Sequence, residues 1–162
     1  MLLTTILLFS ACGIGLTSAH PAESQNFKTQ HTGVDFPVGY ADLDAEGNSV
    51  RVVYPAMESG EGQAMAGNGP FPYTVFFVDE GESNDDYGII SGEIVKRGTI
   101  VVITNDFDSD DTANVVQSLS LIESIVDLMN TINSTNNLIP SSFGNIDLNH
   151  WGVSGHGVGA AA

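Results

Sequence analysis

Residues 149–160 read Asn149-His150-Trp151-Gly152-Val153-Ser154-Gly155-His156-Gly157-Val158-Gly159-Ala160. The stretch up to Ser154 has the character of a buried strand, and the three glycines at alternate positions turn it sharply into a helix. Gly155-His156-Gly157-Val158-Gly159 has the frame of a nucleophile elbow, Gly-x-Ser-x-Gly, in which a strained strand-to-helix turn lifts a serine hydroxyl out of the sheet. The central position here is Gly157, which has no side chain to lift. Ser154 falls inside the strand, without the exposed turn a nucleophile needs, and reads as structural. His150 precedes the strand and belongs to the opposite edge of the sheet.

Upstream, hydrophobic periodicity sets out the elements that would surround such a turn. Residues 34–43 alternate loosely and end at the turn cluster Asp44-Ala45-Glu46-Gly47-Asn48. Ser49-Val50-Arg51-Val52-Val53-Tyr54 resumes as a strand stopped by Pro55, so the pair predicts an antiparallel hairpin. Residues 57–72 are rich in Gly and Ala, lack periodicity and predict an exposed loop. The runs Tyr73-Thr74-Val75-Phe76-Phe77-Val78 and Thr99-Ile100-Val101-Val102-Ile103-Thr104 are continuously apolar, as expected of strands buried on both faces.

Between these two runs, residues 86–97 have helical spacing through Tyr87, Ile90, Ile94 and Val95. Ser83 and Asp86 stand in capping-box positions, Lys96 and Arg97 suit the helix C-terminus, and Gly98 suits the C′ position. Thr112 is placed to cap a long helix whose apolar stripe is Val115, Leu119, Ile122, Val126 and Met129. Residues 130–145 predict a polar loop containing Pro140 and the sequon Asn133-Ser134-Thr135, and residues 151–154 form the last strand. Strands alternating with helices imply a parallel sheet with right-handed crossovers. The loops at 79–84, 106–111 and 155–159 all follow strands and should meet on one edge, where chemistry sits in such sheets.

Composition bounds the function. The 162 residues contain 20 Asp+Glu against 4 Lys+Arg, a formal charge of −16. That charge repels nucleic acid and anionic membranes and suits solubility in a salty or extracellular medium. The single cysteine, Cys12, excludes an intrachain disulfide. Residues 1–19 carry an apolar run too short to span a bilayer, followed by Thr17 and Ala19 at the −3 and −1 positions of a cleavage site. They predict a secretory signal peptide and a secreted or periplasmic protein, with acylation of Cys12 as a lipoprotein the minor alternative. Residues 20–32 read as a linker and residues 33–162 as the domain.

Four stretches, in this order and spacing, resemble the α/β-hydrolase superfamily. They are Val50-Arg51-Val52-Val53-Tyr54-Pro55-Ala56, Gly69-Pro70-Phe71-Pro72-Tyr73-Thr74-Val75-Phe76-Phe77, Ile94-Val95-Lys96-Arg97-Gly98-Thr99-Ile100-Val101-Val102 and Val153-Ser154-Gly155-His156-Gly157-Val158-Gly159. The nearer likeness is to the group of dienelactone hydrolases, chlorophyllases, cutinase-like polyester hydrolases and platelet-activating-factor acetylhydrolases. The resemblance implies an α/β fold, the N-terminal half of a hydrolase sheet: an antiparallel hairpin, then parallel strands with crossover helices, ending at the elbow. It implies backbone amides of Glu80 and Val158 as the oxyanion hole, with Gly155, His156 and Gly159 shaping the elbow and His156 supporting it rather than acting as a base.

Two departures fall on catalytic positions. Gly157 stands where the family has serine. Val78 and Asp79 stand where it has a His-Gly or Pro-Gly pair, so Asp79 and Glu80 set two carboxylates beside the developing oxyanion, unless a shift of one residue brings Gly81 into the turn. The family's acid and histidine follow the elbow, and the sequence stops at Ala162, so a fragment or truncated gene product is expected.

The resulting reading is a secreted chain of carboxylic-ester hydrolase ancestry, inactive as it stands. A longer active form would act on a small or polymeric ester. The alternative is a non-catalytic, acidic binding protein on the same scaffold. No cofactor and no metal are implied. Asp106-Phe107-Asp108-Ser109-Asp110-Asp111 begins like a calcium loop, but its sixth position is Asp111 rather than glycine and its twelfth is Gln117 rather than glutamate, so a solvated acidic loop explains it better.

Overall fold

A computed structural model describes residues 35–104 and 111–160, with only the backbone of 111–116 and 158. The expected signal peptide, Cys12, the linker and the acidic run 106–110 lie outside the described residues. The chain forms strands β1 (Val38–Ala45), β2 (Asn48–Pro55), β3 (Gly60–Glu61) and β4 (Phe71–Phe77), helix α1 (Gly88–Val95), strand β5 (Ile100–Thr104), helix α2 (Asp111–Ser134) and strand β6 (Ile146–Gly155). One mixed sheet holds the strands in the order β3-β1-β2-β5-β4-β6. The hairpin β1–β2 is antiparallel, β2 runs antiparallel to β5, and β4 lies parallel to both β5 and β6. The strands joined through helices thus lie parallel, as the alternation of strands and helices implied, while the hairpin adds the antiparallel part.

Alternation along β4 and β5 builds both cores. Tyr73, Val75, Phe77, Ile100 and Val102 face one side, with Val50, Val52 and Tyr54 of β2, and meet Leu121, Ile125, Leu128, Met129 and Ile132 of α2. Phe76, Val101 and Ile103 face the other side, with Val53, and meet Tyr87 and Val95 at α1. A strand that feeds both cores has no polar face, which is why its sequence is a continuous apolar run. The two helices lie on opposite faces because β4 to β5 steps one way across the sheet and β5 to β6 steps back past β4. Crossovers of one hand then require opposite faces.

Several boundaries differ from the sequence expectation, each for a tertiary reason. The first strand is Val38–Ala45 rather than 34–43, and it pairs to the end of the hairpin, leaving only Glu46 and Gly47 as the loop. Both take positive φ (54° and 92°), the geometry of a two-residue hairpin turn. Residues 57–72 are not simply an exposed loop: Met65 and Ala66 are buried, Ala56 bridges Met65, and β4 starts at Phe71. The Met65 N–H donates to the Pro140 carbonyl, so this segment docks on the loop after α2.

The helix expected over 86–97 is divided. A 3₁₀ turn, Asn84–Tyr87, leads into α1, with the Ser83 N–H and O–H both donating to Asp86 Oδ2 (2.8 and 2.7 Å). Gly98 follows the helix at φ 89° with its N–H on the Val95 carbonyl, one residue beyond the expected C′ position because the cap is Lys96. In α2, Thr112 stands inside the helix rather than at its cap, and Val115 lies among residues whose side chains are not described. The buried stripe is Leu121, Ile125, Leu128, Met129 and Ile132, whereas Leu119 is 59% exposed. Met129 is buried as expected and Ile122 packs partly buried against the same core, so the buried face is turned from the expected stripe by about a quarter of a turn.

The helix also runs to Ser134, five residues into the expected 130–145 loop, because Ile132 completes the stripe. The buried Ser142 hydroxyl lies 2.7–2.8 Å from the carbonyls of Ile132, Thr135 and Ile139, closing orphan acceptors at the helix end. The sequon residue Asn133 is structural too, since its side-chain oxygen accepts the Ile146 N–H (2.9 Å) at the start of β6. That strand spans Ile146–Gly155 rather than 151–154, with an irregularity opposite Phe71–Tyr73, and it is not the buried strand expected: residues 149–154 are exposed, because β6 is the last strand of the sheet.

Arg51 ties the hairpin to α1. Alternation puts it on the α1 side of β2, opposite Asp42, where it makes two hydrogen bonds to that carboxylate (2.7 and 2.9 Å), bonds Asp85, and lies 5.0 Å from the Tyr40 ring centre. The hydrogen bond from Arg51 lowers the Asp42 pKa from 3.8; burial opposes this, and the guanidinium charge adds to it. A depressed carboxyl pKa contributes stability that is present above about pH 3.8 and lost as pH falls through the lower folded value.

Two predictions follow from this packing. Ile125→Ala should cost about 2–5 kcal/mol in chemical unfolding, while Leu119→Ala should stay within about 0.5 kcal/mol. Equal costs would place the stripe where the sequence alone put it. Arg51→Gln should return the Asp42 titration, followed by carboxyl NMR, to its ordinary position. It should also flatten the acid limb of the stability profile, while costing about 1 kcal/mol or less at neutral pH because the pair is largely exposed.

Candidate functional site

The C-terminal ends of β4, β5 and β6 converge. Phe77 pairs with Thr104 on one side and Gly155 on the other, the Val78 N–H points to the Thr104 carbonyl (3.4 Å), and the His156 N–H donates to the Phe77 carbonyl (3.0 Å). The loop after β4 and the elbow after β6 therefore meet, as expected. The third expected loop, after β5, lies outside the described residues.

Strand β6 ends at Gly155, and Gly157 opens a 3₁₀ turn, Gly157–Ala160, at φ 56°. A residue with a Cβ in this left-handed region costs on the order of 1–2 kcal/mol. Each glycine is also demanded by close approach. A Cβ on Gly155 would overlap the backbone of Gly159, and one on Gly159 would overlap the carbonyls of Phe77 and Val78. The outer two glycines therefore let the turn fold back onto itself and onto the end of β4.

At Gly157 the obstruction is a side chain. A Cβ there would overlap the carboxyl carbon and both oxygens of Asp79, from the loop after β4. The Glu80 N–H, expected to face an oxyanion, donates to Asp79 Oδ1 (2.9 Å). The turn that carries it has Glu80 and Gly81 at its centre, with Gly81 at φ 79° and the Glu82 N–H on the Asp79 carbonyl (3.2 Å). Gly81 thus lies within the turn, and the Glu80 amide meets a carboxylate of its own chain. The Val158 amide belongs to the 3₁₀ turn that starts at Gly157.

Behind the carboxylate stands Tyr87, which the sequence placed only on an apolar helical period. Its buried hydroxyl accepts the Asp79 N–H (3.1 Å) and lies 3.0 Å from His156 Nδ1, with the two rings edge to face at 6.0 Å. The phenol oxygen can donate its own proton or accept a second one, so the direction of its bond to His156 Nδ1 follows the imidazole tautomer. Tyr87 thereby binds the loop after β4 to the turn at His156. No local pattern could have marked this role, because the partners are 8 and 69 residues away in sequence.

The remaining candidates are separate from this cluster. Ser154 lies within β6 with its hydroxyl 3.0 Å from that of Thr74. His150 lies nearer the start of β6, its Nδ1 2.6 Å from Asp147 Oδ2. Among the described residues there is no group of three metal-ligating side chains, and no helix is long and apolar enough to cross a membrane.

No family model matches the chain, and no curated protein matches it. Among solved structures it is similar to a ferulic acid esterase from Streptomyces cinnamoneus, with 18% identity and a TM-score of 0.52. The alignment covers 78% of this chain and 54% of the esterase, so the chain spans about half the length of that enzyme. At this identity the likeness is one of fold, and it places the six strands within an α/β-hydrolase type of sheet.

Tyr87→Phe should destabilise the chain by about 1–2 kcal/mol and speed exchange of the Asp79 amide in hydrogen-exchange NMR. Unchanged protection of that amide would mean that the phenol does not hold the loop.

Proposed function

We propose that this chain is a secreted protein of carboxylic-ester hydrolase ancestry, nearest to the dienelactone hydrolase and cutinase-like group, whose elbow has lost its catalytic role. The observation that carries this reading is the Asp79 carboxylate lying against Gly157. Acyl transfer needs a nucleophile at the elbow and hydrogen-bond donors aimed at a developing negative charge. Here the nucleophile position has no side chain, and a carboxylate already engages the Glu80 amide. Loss of such a nucleophile lowers turnover on the order of 10⁶-fold. A second carboxylate, Glu80, raises the cost of any oxyanion at this place. The surviving fold, the acidic surface and the intact elbow suit a protein that keeps the scaffold without the reaction.

The esterase likeness makes ferulate esters the natural first probe, with short p-nitrophenyl esters as the second. The purified chain should hydrolyse neither above the rate in buffer, and a fluorophosphonate should leave no label. Turnover proportional to protein concentration that survives repurification would overturn the reading. Gly157→Ser by itself should leave the rate at background and lower the thermal midpoint, since the new side chain enters both a left-handed backbone and the volume of Asp79.

A further inference from the structure

We propose that the free edge of β6 is the contact between two copies of this chain, paired antiparallel about a two-fold axis at Gly152. The inference concerns the side of β6 turned away from β4 and stands whether or not the elbow has lost its reaction. The two edges of the sheet are unlike. One ends in β3, which is two residues long and carries the charge of Glu61. The other ends in β6, ten residues long, which among the described residues pairs only with β4. Edge strands are ordinarily kept from one another by short length, lysine or proline. Residues 146–155 contain no Lys, Arg or Pro. Trp151 and Val153 stand there 43% and 51% exposed.

Backbone direction and side chains together set the register. The His156 N–H donates to the Phe77 carbonyl (3.0 Å), so the alternate residues Gly152, Ser154 and His156 turn their N–H and C=O toward β4. Trp151, Val153 and Gly155 turn theirs outward. Antiparallel pairing about Gly152 sets Trp151 of each copy opposite Val153 of the other, so outward-facing residues meet and exchange both hydrogen bonds. It also makes two aromatic–β-branched pairs on one face, the kind that stabilises neighbouring strands. Gly152 then faces Gly152 at the axis. A two-fold at Val153 would instead set Trp151 opposite Gly155 and lose both pairs.

Helix α2 extends the apolar surface. Leu119, Ile122, Val126 and Asn133 share one flank of it by helical spacing. Asn133 on that flank accepts the Ile146 N–H at the start of β6 (2.9 Å), whereas Ser124 on the opposite flank bonds Glu46 of the hairpin (2.8 Å). The flank with Leu119, 59% exposed, therefore borders β6, on the face where Trp151 stacks against Tyr73 (5.9 Å between ring centres). Two-fold pairing brings both copies of this flank to one side of a continuous sheet. Charge selects the occupant. A net charge of −16 opposes contact between copies over most of the surface. Residues 146–160 hold a single carboxylate side chain, Asp147, bound to His150 Nδ1 (2.6 Å). Two such chains repel least at this edge, and a basic partner is drawn elsewhere. With β3 blunted, association closes at two.

The test is analytical ultracentrifugation of the full chain from micromolar to millimolar concentration, in low and high sodium chloride. A dimer should form and should tighten with salt, which screens the like charges. Val153→Glu should weaken it by about tenfold or more. In a Cys12→Ser background, Gly152→Cys should link two copies on mild oxidation, because a central non-hydrogen-bonded pair holds its Cα atoms about 4.5 Å apart. A Cβ at Gly152 meets nothing within 4 Å in the single chain, so this variant gives a readout even if Val153→Glu does not fold. Ile89→Cys, 86% exposed on α1, is the control and should link far more slowly. A chain that stays monomeric throughout would assign the edge to a different partner and overturn the inference. A dimer that loosens with salt, one as tight in Val153→Glu as in the parent, or one that Gly152→Cys links no faster than Ile89→Cys would overturn it as well. Ester turnover bears on the elbow reading alone.

Discussion

Everything in this fold depends on the two-sided burial of β4 and β5. Each strand sends alternate apolar side chains into a different core, so both of their faces must be covered. A helix must cover each side, and short connections of one hand then dictate that α1 and α2 lie on opposite faces. The same constraint fixes the functional edge. Because β4 is flanked by β5 and β6 in parallel, its C-terminal loop is held beside the turn that follows β6, and the two come together at Phe77.

The elbow adds a second constraint, of backbone against backbone. Gly155 and Gly159 permit approaches that no Cβ would survive, and so the turn packs on itself and on the end of β4. In a catalytic elbow this compression exposes a serine. Here the same compression brings Asp79 over Gly157. The carboxylate, from the neighbouring loop, stands in the space that a side chain at 157 would need. Tyr87 links the two halves through polar contacts to Asp79 and His156, so the arrangement is held by hydrogen bonds as well as by shape.

Legibility from sequence varied with how local the cause was. The hairpin, the doubly buried strands, the Ser83–Asp86 cap, the Gly98 stop and the glycine elbow all have short-range signatures, and their places in the chain were readable. The stripe of α2 was readable only in part. Val115-Leu119-Ile122-Val126-Met129 and Leu121-Ile125-Leu128-Ile132 both satisfy helical spacing; Met129 is buried as expected, and contact with the sheet decides which of the others join it. Likewise Met65 and Ala66 sit in a stretch without periodicity, and their burial comes from docking on the loop around Pro140.

The amino-acid sequence by itself determined that strands alternate with helices, that a Gly-x-Gly-x-Gly turn follows the last strand, and that its central position, Gly157, carries no side chain. Each is a property of residues adjacent in the chain. Tertiary structure alone decided what fills the empty position. Asp79 and Gly157 are far apart in sequence and meet because parallel pairing sets Phe77 beside Gly155. From the sequence Asp79 was legible only as an unfavourable charge near an oxyanion. In the folded chain its carboxylate stands at the elbow itself, because the sheet register brings the two loops together.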